Sequence, residues 1–218
     1  MQVPNIRVLF IRHGESIVNQ DSSRIAGQSP KSNLSEIGKK QCIYLGKRLK
    51  KENVKPFAVF SSPFIRAKKT AEIVLKESNL NLDIEIIEDL KEFSAGDWEG
   101  ELRSQVYTDK QLRLMNTLGY IFTPPNGESQ RMVERRISNW FEDQILYNPK
   151  FLQDDKEKLI LIFSHGITIK CMLHYILGFS DRFIYRFELA NTGICEFKFT
   201  QEGWYPISIN DHSHLKNL

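Results

Sequence analysis

The stretch Ile6-Arg7-Val8-Leu9-Phe10-Ile11-Arg12-His13-Gly14-Glu15-Ser16 contains the sharpest change of character in the chain. A run of mostly branched residues over Ile6–Ile11 stops at an arginine, a histidine and a glycine. The run has the length and composition of a buried strand, and the glycine marks the turn that ends it. A second junction of this kind is Leu159-Ile160-Leu161-Ile162-Phe163-Ser164-His165-Gly166, which predicts a buried strand before a helix over Ile167–Leu177. A third is Phe57–Phe60, followed by Ser61-Ser62-Pro63. There Ser62 is predicted to cap a helix and Pro63 to occupy its first position, so that Arg66 falls in the first turn.

The rest of the chain fits the same alternation. Ser35 opens a helical pattern to about Glu52, with Ile37, Leu45 and Leu49 on one face. Asp83–Ile87 reads as a third strand, and a glycine-containing loop, Glu88–Gly100, follows it. Glu101–Leu118 reads as helix without a clean apolar stripe. Pro124-Pro125-Asn126-Gly127 breaks the pattern, and helix resumes from about Glu128 to Leu146. Tyr185–Leu189, Gly193–Phe199 and Trp204–Ile209 are expected as short strands, some at a sheet edge. Such alternation predicts an α/β fold, a three-layer α/β/α sandwich around a mostly parallel sheet. Parallel strands share their carboxyl edge, where ligands bind. Arg12, His13, Arg66 and His165 all fall on that edge, two arginines and two histidines around one pocket.

Composition narrows the field without deciding it. The 218 residues are 41% hydrophobic and 26% charged, an ordinary globular balance, and no repeat, low-complexity tract or linker divides them. One domain over 1–218 is expected, with 101–127 as a lid or specificity insertion. Thirty Lys and Arg against 27 Asp and Glu leave a net charge of +3, too little to imply nucleic-acid or membrane partners. Cys42, Cys171 and Cys195 have neither metal-ligand nor disulfide-framework spacing and read as packed, reduced thiols. Val8–Ile11 is too short for a signal peptide and no apolar run reaches membrane-spanning length, so a cytoplasmic protein is expected.

Two guanidiniums present planar forks that match phosphate oxygens, and helix N-termini at the same turns add backbone donors. A neutral imidazole among them can attack phosphorus, while a second, cationic imidazole would stabilise the transferring group. An acid is needed for the leaving oxygen, and Glu92 or Asp97 could supply it. One histidine beside a glycine is usually structural; two such turns plus a third with an arginine make coincidence a poor account. Cys42 and Arg48 match a Cys-x5-Arg spacing by chance: within a helix they stand about 9 Å apart along the axis and on different faces. No phosphate-binding Gly-x4-Gly-Lys loop is present. The lysine-rich run Lys47–Lys55 reads as a solvated helix end.

A set of ordered motifs carries a resemblance to the histidine phosphatase (phosphoglycerate mutase-like) superfamily. They are Arg12-His13-Gly14-Glu15-Ser16 with Asn19, Leu34-Ser35-Glu36-Ile37-Gly38, Ser61 to Ala71 with Arg66 and Thr70, and Leu90-Lys91-Glu92 with Gly96-Asp97-Trp98-Glu99-Gly100. Gly127-Glu128-Ser129 and Ser164-His165-Gly166 complete the order. The resemblance spans about Val8 to Leu177. It implies a phosphoglycerate mutase-like fold, His13 as nucleophile, Arg12, Arg66 and His165 as holders of the phosphoryl group, and Glu92 as proton donor and later activator of water. Asn19, Gly27 and Gly166 join Arg12, Arg66 and His165 as candidate substrate-binding positions. Asp97 is then structural, and Glu128-Ser129 opens a helix. The resemblance implies no metal and no cofactor, and His212 and His214 are expected in solvent.

Within the superfamily, a phosphatase acting on a small phosphorylated metabolite such as a sugar phosphate is expected over a phosphoglycerate mutase-type phosphotransferase. Such mutases carry Glu-Arg-His-Tyr-Gly in the acid loop, where this chain has Glu92-Phe93-Ser94-Ala95-Gly96. The loop, together with Arg24-Ile25-Ala26-Gly27, is instead similar to the bisphosphatase half of the fructose-2,6-bisphosphate enzymes. Gln28 and Asn33 depart from acidic residues common nearby. A phospho-ligand binding module without catalysis is the rival of another class, and the presence of both histidines, both arginines and the acid argues against it. The residues name no particular phosphorylated compound and no oligomeric state.

Overall fold

Apolar residues of alternate parity on the first strand divide between two cores, and this division sets the architecture. The computed structural model describes residues 3–181, 184, 186–216 and 218. Strand β1 (Ile6–Arg12) sends Ile6, Val8 and Phe10 to one face and Leu9 and Ile11 to the other. Both sets are at most 4% exposed, so the strand is buried on both sides. Each such side chain contributes about 1.5–3 kcal/mol by leaving water.

The remaining strands are β2 (Ala58–Ser61), β3 (Ile84–Ile86), β4 (Lys158–Ser164), β5 (Ile194–Thr200) and β6 (Gly203–Asp211). They form one sheet in the order β3-β2-β4-β1-β5-β6. β1 and β2 run parallel to β4, β3 runs parallel to β2, and β5 is antiparallel to both β1 and β6. On one face α2 (Glu36–Lys51) and α3 (Ile65–Glu77) bury Cys42, Leu45, Leu49, Ala71 and Val74 against Leu161 and Phe163. On the other, α6 (Gln130–Phe141) and α7 (Gly166–Leu177) bury Ile137, Phe141, Ile169 and Met172 against Phe60, Ile160 and Ile162. The protein is a three-layer α/β/α sandwich around a mostly parallel sheet, as the alternation of elements predicts. A short α1 (Ile17–Gln20) and the pair α4 (Arg103–Val106) and α5 (Asp109–Leu118) lie in the connections.

Several expectations need correction. The helix after β2 begins at Ile65, not Pro63, and Phe64 rather than Ser62 is its cap. Ser62 is drawn into the pocket instead, as described below. Glu101–Leu118 is two helices, because Thr108 caps a new one by accepting from the Gln111 amide. The helix after Ser129 ends in a wider π turn over Glu142–Leu146. Phe187–Leu189 is irregular backbone rather than strand: the Leu189 carbonyl accepts from Arg12 and the Ala190 amide donates to Asn210 Oδ1, so these groups serve side chains and not a ladder. Tyr185, the start of that expected strand, lies outside the described residues. His212 is exposed as expected, but His214 is half-buried and bonded to Thr192.

Candidate active site

The pocket is built at the carboxyl ends of β1, β2 and β4. The β1–β4 register places Arg12 beside Ser164, so the two histidines that follow emerge side by side. Their rings lie 5.1 Å apart, centroid to centroid, and His13 and His165 are 2% and 0% exposed. The His13 amide donates to the Ser164 carbonyl at 3.0 Å, and the Ser62 amide donates to that of Phe163 at 3.0 Å, which joins all three strand ends.

The imidazole of His13 is oriented through both nitrogens. Nδ1 donates to the Gly14 carbonyl at 2.7 Å, which leaves the Nε2 lone pair to accept from Arg66 Nε at 3.2 Å. That assignment of the ring proton follows from the partners, since a carbonyl can only accept. Burial, and then the charges of Arg66 and Arg12, hold His13 well below the usual imidazole range. The ring is therefore neutral, the form in which a nitrogen can attack.

The two arginines differ in their attachments. Arg12 donates through Nη1 to the Leu189 carbonyl, while its Nε is buried with no partner among the described residues. Arg66, 2% exposed, donates through Nη1 to the carbonyls of Gln28 at 2.8 Å and Ser29 at 2.9 Å. Burial, with Arg12 nearby, pushes Arg66 down to about 10, so it stays charged at neutral pH. His165 bonds Ser62 Oγ through Nε2 at 2.7 Å, and its Nδ1 is buried with no partner among the described residues. The expectation of a cationic second histidine is corrected: burial and Arg66 hold His165 well below its usual range, so it is neutral here. A bound phosphoryl dianion would oppose those cations and favour the charged form.

Glu92 reaches the same edge from the loop after β3. Its Oε1 accepts from the amides of Phe93 at 2.9 Å and Thr168 at 3.2 Å, and Oε2 from that of Ile167 at 3.3 Å. The carboxyl group thus sits at the N-terminus of α7, held by backbone donors. Gly166 separates it from Arg12: a Cβ there would stand 3.6 Å from Arg12 Nε and 3.9 Å from Glu92 Oε2. Asp97 is exposed and accepts from Asn126 Nδ2 at 2.9 Å, outside this cluster. Asn19 turns its amide oxygen to Ser16, accepting from its amide at 3.2 Å and its hydroxyl at 2.8 Å, so it braces the turn after His13. Ser129 caps α6 by accepting from Met132, while Glu128 forms a two-oxygen pair with Arg136 and accepts from the Ser94 amide at 3.0 Å.

Gly27 lies at the entrance in a left-handed conformation, φ +51, with the Glu99 carboxyl 2.3 Å from where a Cβ would be. A side chain there would be strained by the backbone and would press on Glu99. Glu99 Oε1 in turn accepts from the Gln28 amide at 3.0 Å and that of Ala95 at 3.1 Å, and Gln28 Nε2 donates to the Glu92 carbonyl at 3.1 Å. Gln28 thereby touches the backbone of Glu92 and the side chain of Arg66.

Sequence reasoning missed Ser62, the Gln28 link and the turn 189–193. Asn191 Nδ2 donates to the His13 carbonyl at 3.0 Å, and the Thr192 amide donates to that of Arg12 at 3.0 Å. The available signal was Asn191-Thr192-Gly193, a turn-forming set without charge. The thiols fall outside the chemistry: burial pushes Cys42 and Cys195 each up to about 11 and raises Cys171 further. Cys42 and Arg48 both lie in α2, so the Cys-x5-Arg spacing builds no loop. Among the described residues no group of three or more His, Cys, Asp or Glu is placed to hold a metal ion. No helix among them is long and apolar enough to cross a membrane.

Residues 8–212 match the family model of the histidine phosphatase superfamily (branch 1). A 2,3-bisphosphoglycerate-dependent phosphoglycerate mutase of Bartonella tribocorum is 32% identical over 193 residues, 86% of this chain and 88% of the relative. Fructose-2,6-bisphosphatase TIGAR of Xenopus tropicalis is 37% identical over 135 residues, 61% of this chain but 47% of that protein. The solved structure of a mycobacterial glucosyl-3-phosphoglycerate phosphatase superposes with a TM-score of 0.79 at 23% identity, covering 94% of this chain and 98% of the other. That last likeness is one of fold.

Proposed function

The chain belongs to the histidine phosphatase superfamily, and on that premise we propose that it is a metal-independent phosphomonoesterase that passes a phosphoryl group through His13 to water. The observation that carries this reading is the neutral His13 ring, its Nε2 lone pair turned toward Arg66 and its Nδ1 proton committed to Gly14. In the first step Nε2 attacks phosphorus, the P–N bond forms and the bond to the leaving oxygen breaks. Glu92 gives its proton to that oxygen. Arg12, Arg66 and His165 neutralise the charge on the transferring group, with Gly166 between Arg12 and Glu92 and Gly27 shaping the entrance. In the second step Glu92 takes a proton from water, whose oxygen attacks phosphorus and releases His13.

Hydrolysis is favoured over transfer to a second phosphorylated compound by the acid loop. Phe93 packs against the small core of Tyr120, Val133 and Cys171, and Ala95 is 3% exposed, so no cation follows Glu92 there to receive a substrate carboxylate. The mutase reading retains the support of the 32% identical Bartonella relative. Residues 1–218 are read as one domain in which 101–127 form a lid. Supporting this are the Arg24–Leu102 bridge and the stacking of Trp98 on Phe122 at 5.5 Å, which join that segment to the entrance and acid loops. The substrate is read as a small phosphorylated metabolite such as a sugar phosphate. A cytoplasmic setting agrees with three buried cysteines outside any disulfide.

The deciding experiment assays an aryl phosphate without added metal and traps labelled enzyme by rapid quench. Expected are turnover and an acid-labile label in the parent, with both lost by about 10⁴-fold or more in His13→Ala. Label retained in His13→Ala would overturn the assignment. Phosphoglycerate isomerisation faster than hydrolysis would favour the mutase.

A further inference from the structure

We infer that His214 and Thr192 are positioning residues for the nucleophile, locking from behind the turn 189–193 that grips Arg12 and His13. The inference rests on the phosphohistidine reading above and extends it to residues that touch none of the reacting atoms.

The grip itself is extensive. Arg12 donates through its amide to the Gly193 carbonyl at 3.2 Å and through Nη1 to that of Leu189. The carbonyls of Arg12 and His13 accept from the Thr192 amide and from Asn191 Nδ2, each at 3.0 Å. Because the His13 ring is tied through Nδ1 to the Gly14 carbonyl, its attacking Nε2 moves with the backbone of residues 12–14. Whatever fixes the turn therefore fixes the line of attack.

The turn is not self-supporting. Thr192 is fully buried in the left-handed region at φ +56, an uncommon conformation for a β-branched residue. Such a residue persists only where its surroundings over-determine it. Its hydroxyl donates to the Asn191 carbonyl at 2.7 Å, which leaves it free to accept, and His214 Nε2 lies 2.9 Å away. His214 must then carry its proton on Nε2. Its other nitrogen is buried with no partner among the described residues. Burial, and then Arg48, push His214 down to about 4, so it is a neutral donor at working pH. The charged and titratable groups facing it are Arg48, Asp211 and His212. Arg48 is fixed by Asp211 at 2.6 Å and Glu52 at 2.8 Å, and the turn Ser213–Leu215 packs on α2. The segment Ser213–Leu215 thus sets the geometry of a histidine about 200 positions earlier in sequence.

The test compares parent, His214→Phe, His214→Gln and Thr192→Gly by steady-state kinetics on an aryl phosphate, quench trapping and thermal melting. His214→Phe keeps the ring volume and loses the donor. It should lower kcat and the rate of labelling by about tenfold, with KM within about twofold, since small misplacements of a reacting group cost this much or more. His214→Gln keeps an N–H and should recover most of the loss. Thr192→Gly suits the backbone and removes the hydroxyl, so activity should fall while the melting temperature holds. If His214→Phe does not fold, Thr192→Gly decides. Unchanged kcat in folded variants, or activity that simply follows melting temperature, overturns the inference. A parent that forms no acid-labile phosphoenzyme overturns the underlying reading as well, so the two failures are distinct.

Discussion

The rear of the pocket and its entrance are held together by different means. At the rear, His13, His165, Ser62 and Ser164 are at most 2% exposed and are joined through strand ends that the sheet itself fixes. At the entrance, Gln28, Ser29 and the segment from Glu92 to Tyr107 are mostly half-buried. They are connected by side-chain bonds such as Gln28 to Glu92 and Glu99 to Ala95. On the proposed reading, the nucleophile and His165 belong to the part that cannot change without refolding, while the proton donor Glu92 and the residues that would select substrate belong to the part that can. Arg66 is the hinge between them, with Nε on His13 and Nη1 on Gln28 and Ser29.

The largest test of that division is to cut the hinge. Arg66→Lys keeps a charge but cannot span both sides, and kcat/KM should drop by about 10²–10³-fold. A loss under threefold would mean that the two regions are not coupled through it. Glu92→Gln strikes the entrance side of the chemistry. Expected is about a 10²-fold loss of kcat on alkyl phosphates and a much smaller one on aryl phosphates, whose leaving groups need no strong acid. Equal losses on both would move the acid elsewhere. Gln28→Ala should change only the entrance: KM should rise by about 3–10-fold, with the melting temperature nearly unchanged, as for one lost partly exposed hydrogen bond.

The weakest effect at neutral pH separates the regions by titration. His13 and His165 are buried neutral, with native pKa values well below the unfolded range near 6.5. Below pH 6.5 the unfolded chain binds protons that the native one refuses, so stability should fall as pH drops from there toward the native values. Denaturant midpoints taken from pH 7.5 to 5 should decline in the parent and decline less in His165→Asn. Parallel slopes would remove His165 as a cause.

Much of the rear was legible in the sequence, and little of the entrance. β1 and β4 announce themselves through mostly apolar runs, and the residues that follow them on a parallel sheet must share an edge. That logic brings Arg12, His13, Arg66 and His165 together before any coordinate. It fails where side chains override backbone preference. Ser62-Pro63 reads as a helix start, yet the Ser62 hydroxyl is shared between the Phe64 amide and His165, and the helix begins only at Ile65. Leu189 reads as strand, yet its carbonyl serves Arg12. His214 reads as a solvated terminal residue because its partner, Thr192, is twenty-two positions away in an uncharged turn. Such contacts have no periodicity, so no local pattern predicts them.

The order of strands also bears on how the molecule comes into being. β1 lies between β4 and β5, whose residues stand some 150 to 190 positions further along the chain. Pairing so remote in sequence is slow to close, because loop entropy is spent before any contact repays it. A chain emerging from the ribosome therefore holds His13 and its neighbours without any site until β4 and β5 have been made and docked. Regain of turnover after dilution from denaturant should trail the recovery of helical signal. Inorganic phosphate, binding only the finished edge, should raise the population that has completed this last closure.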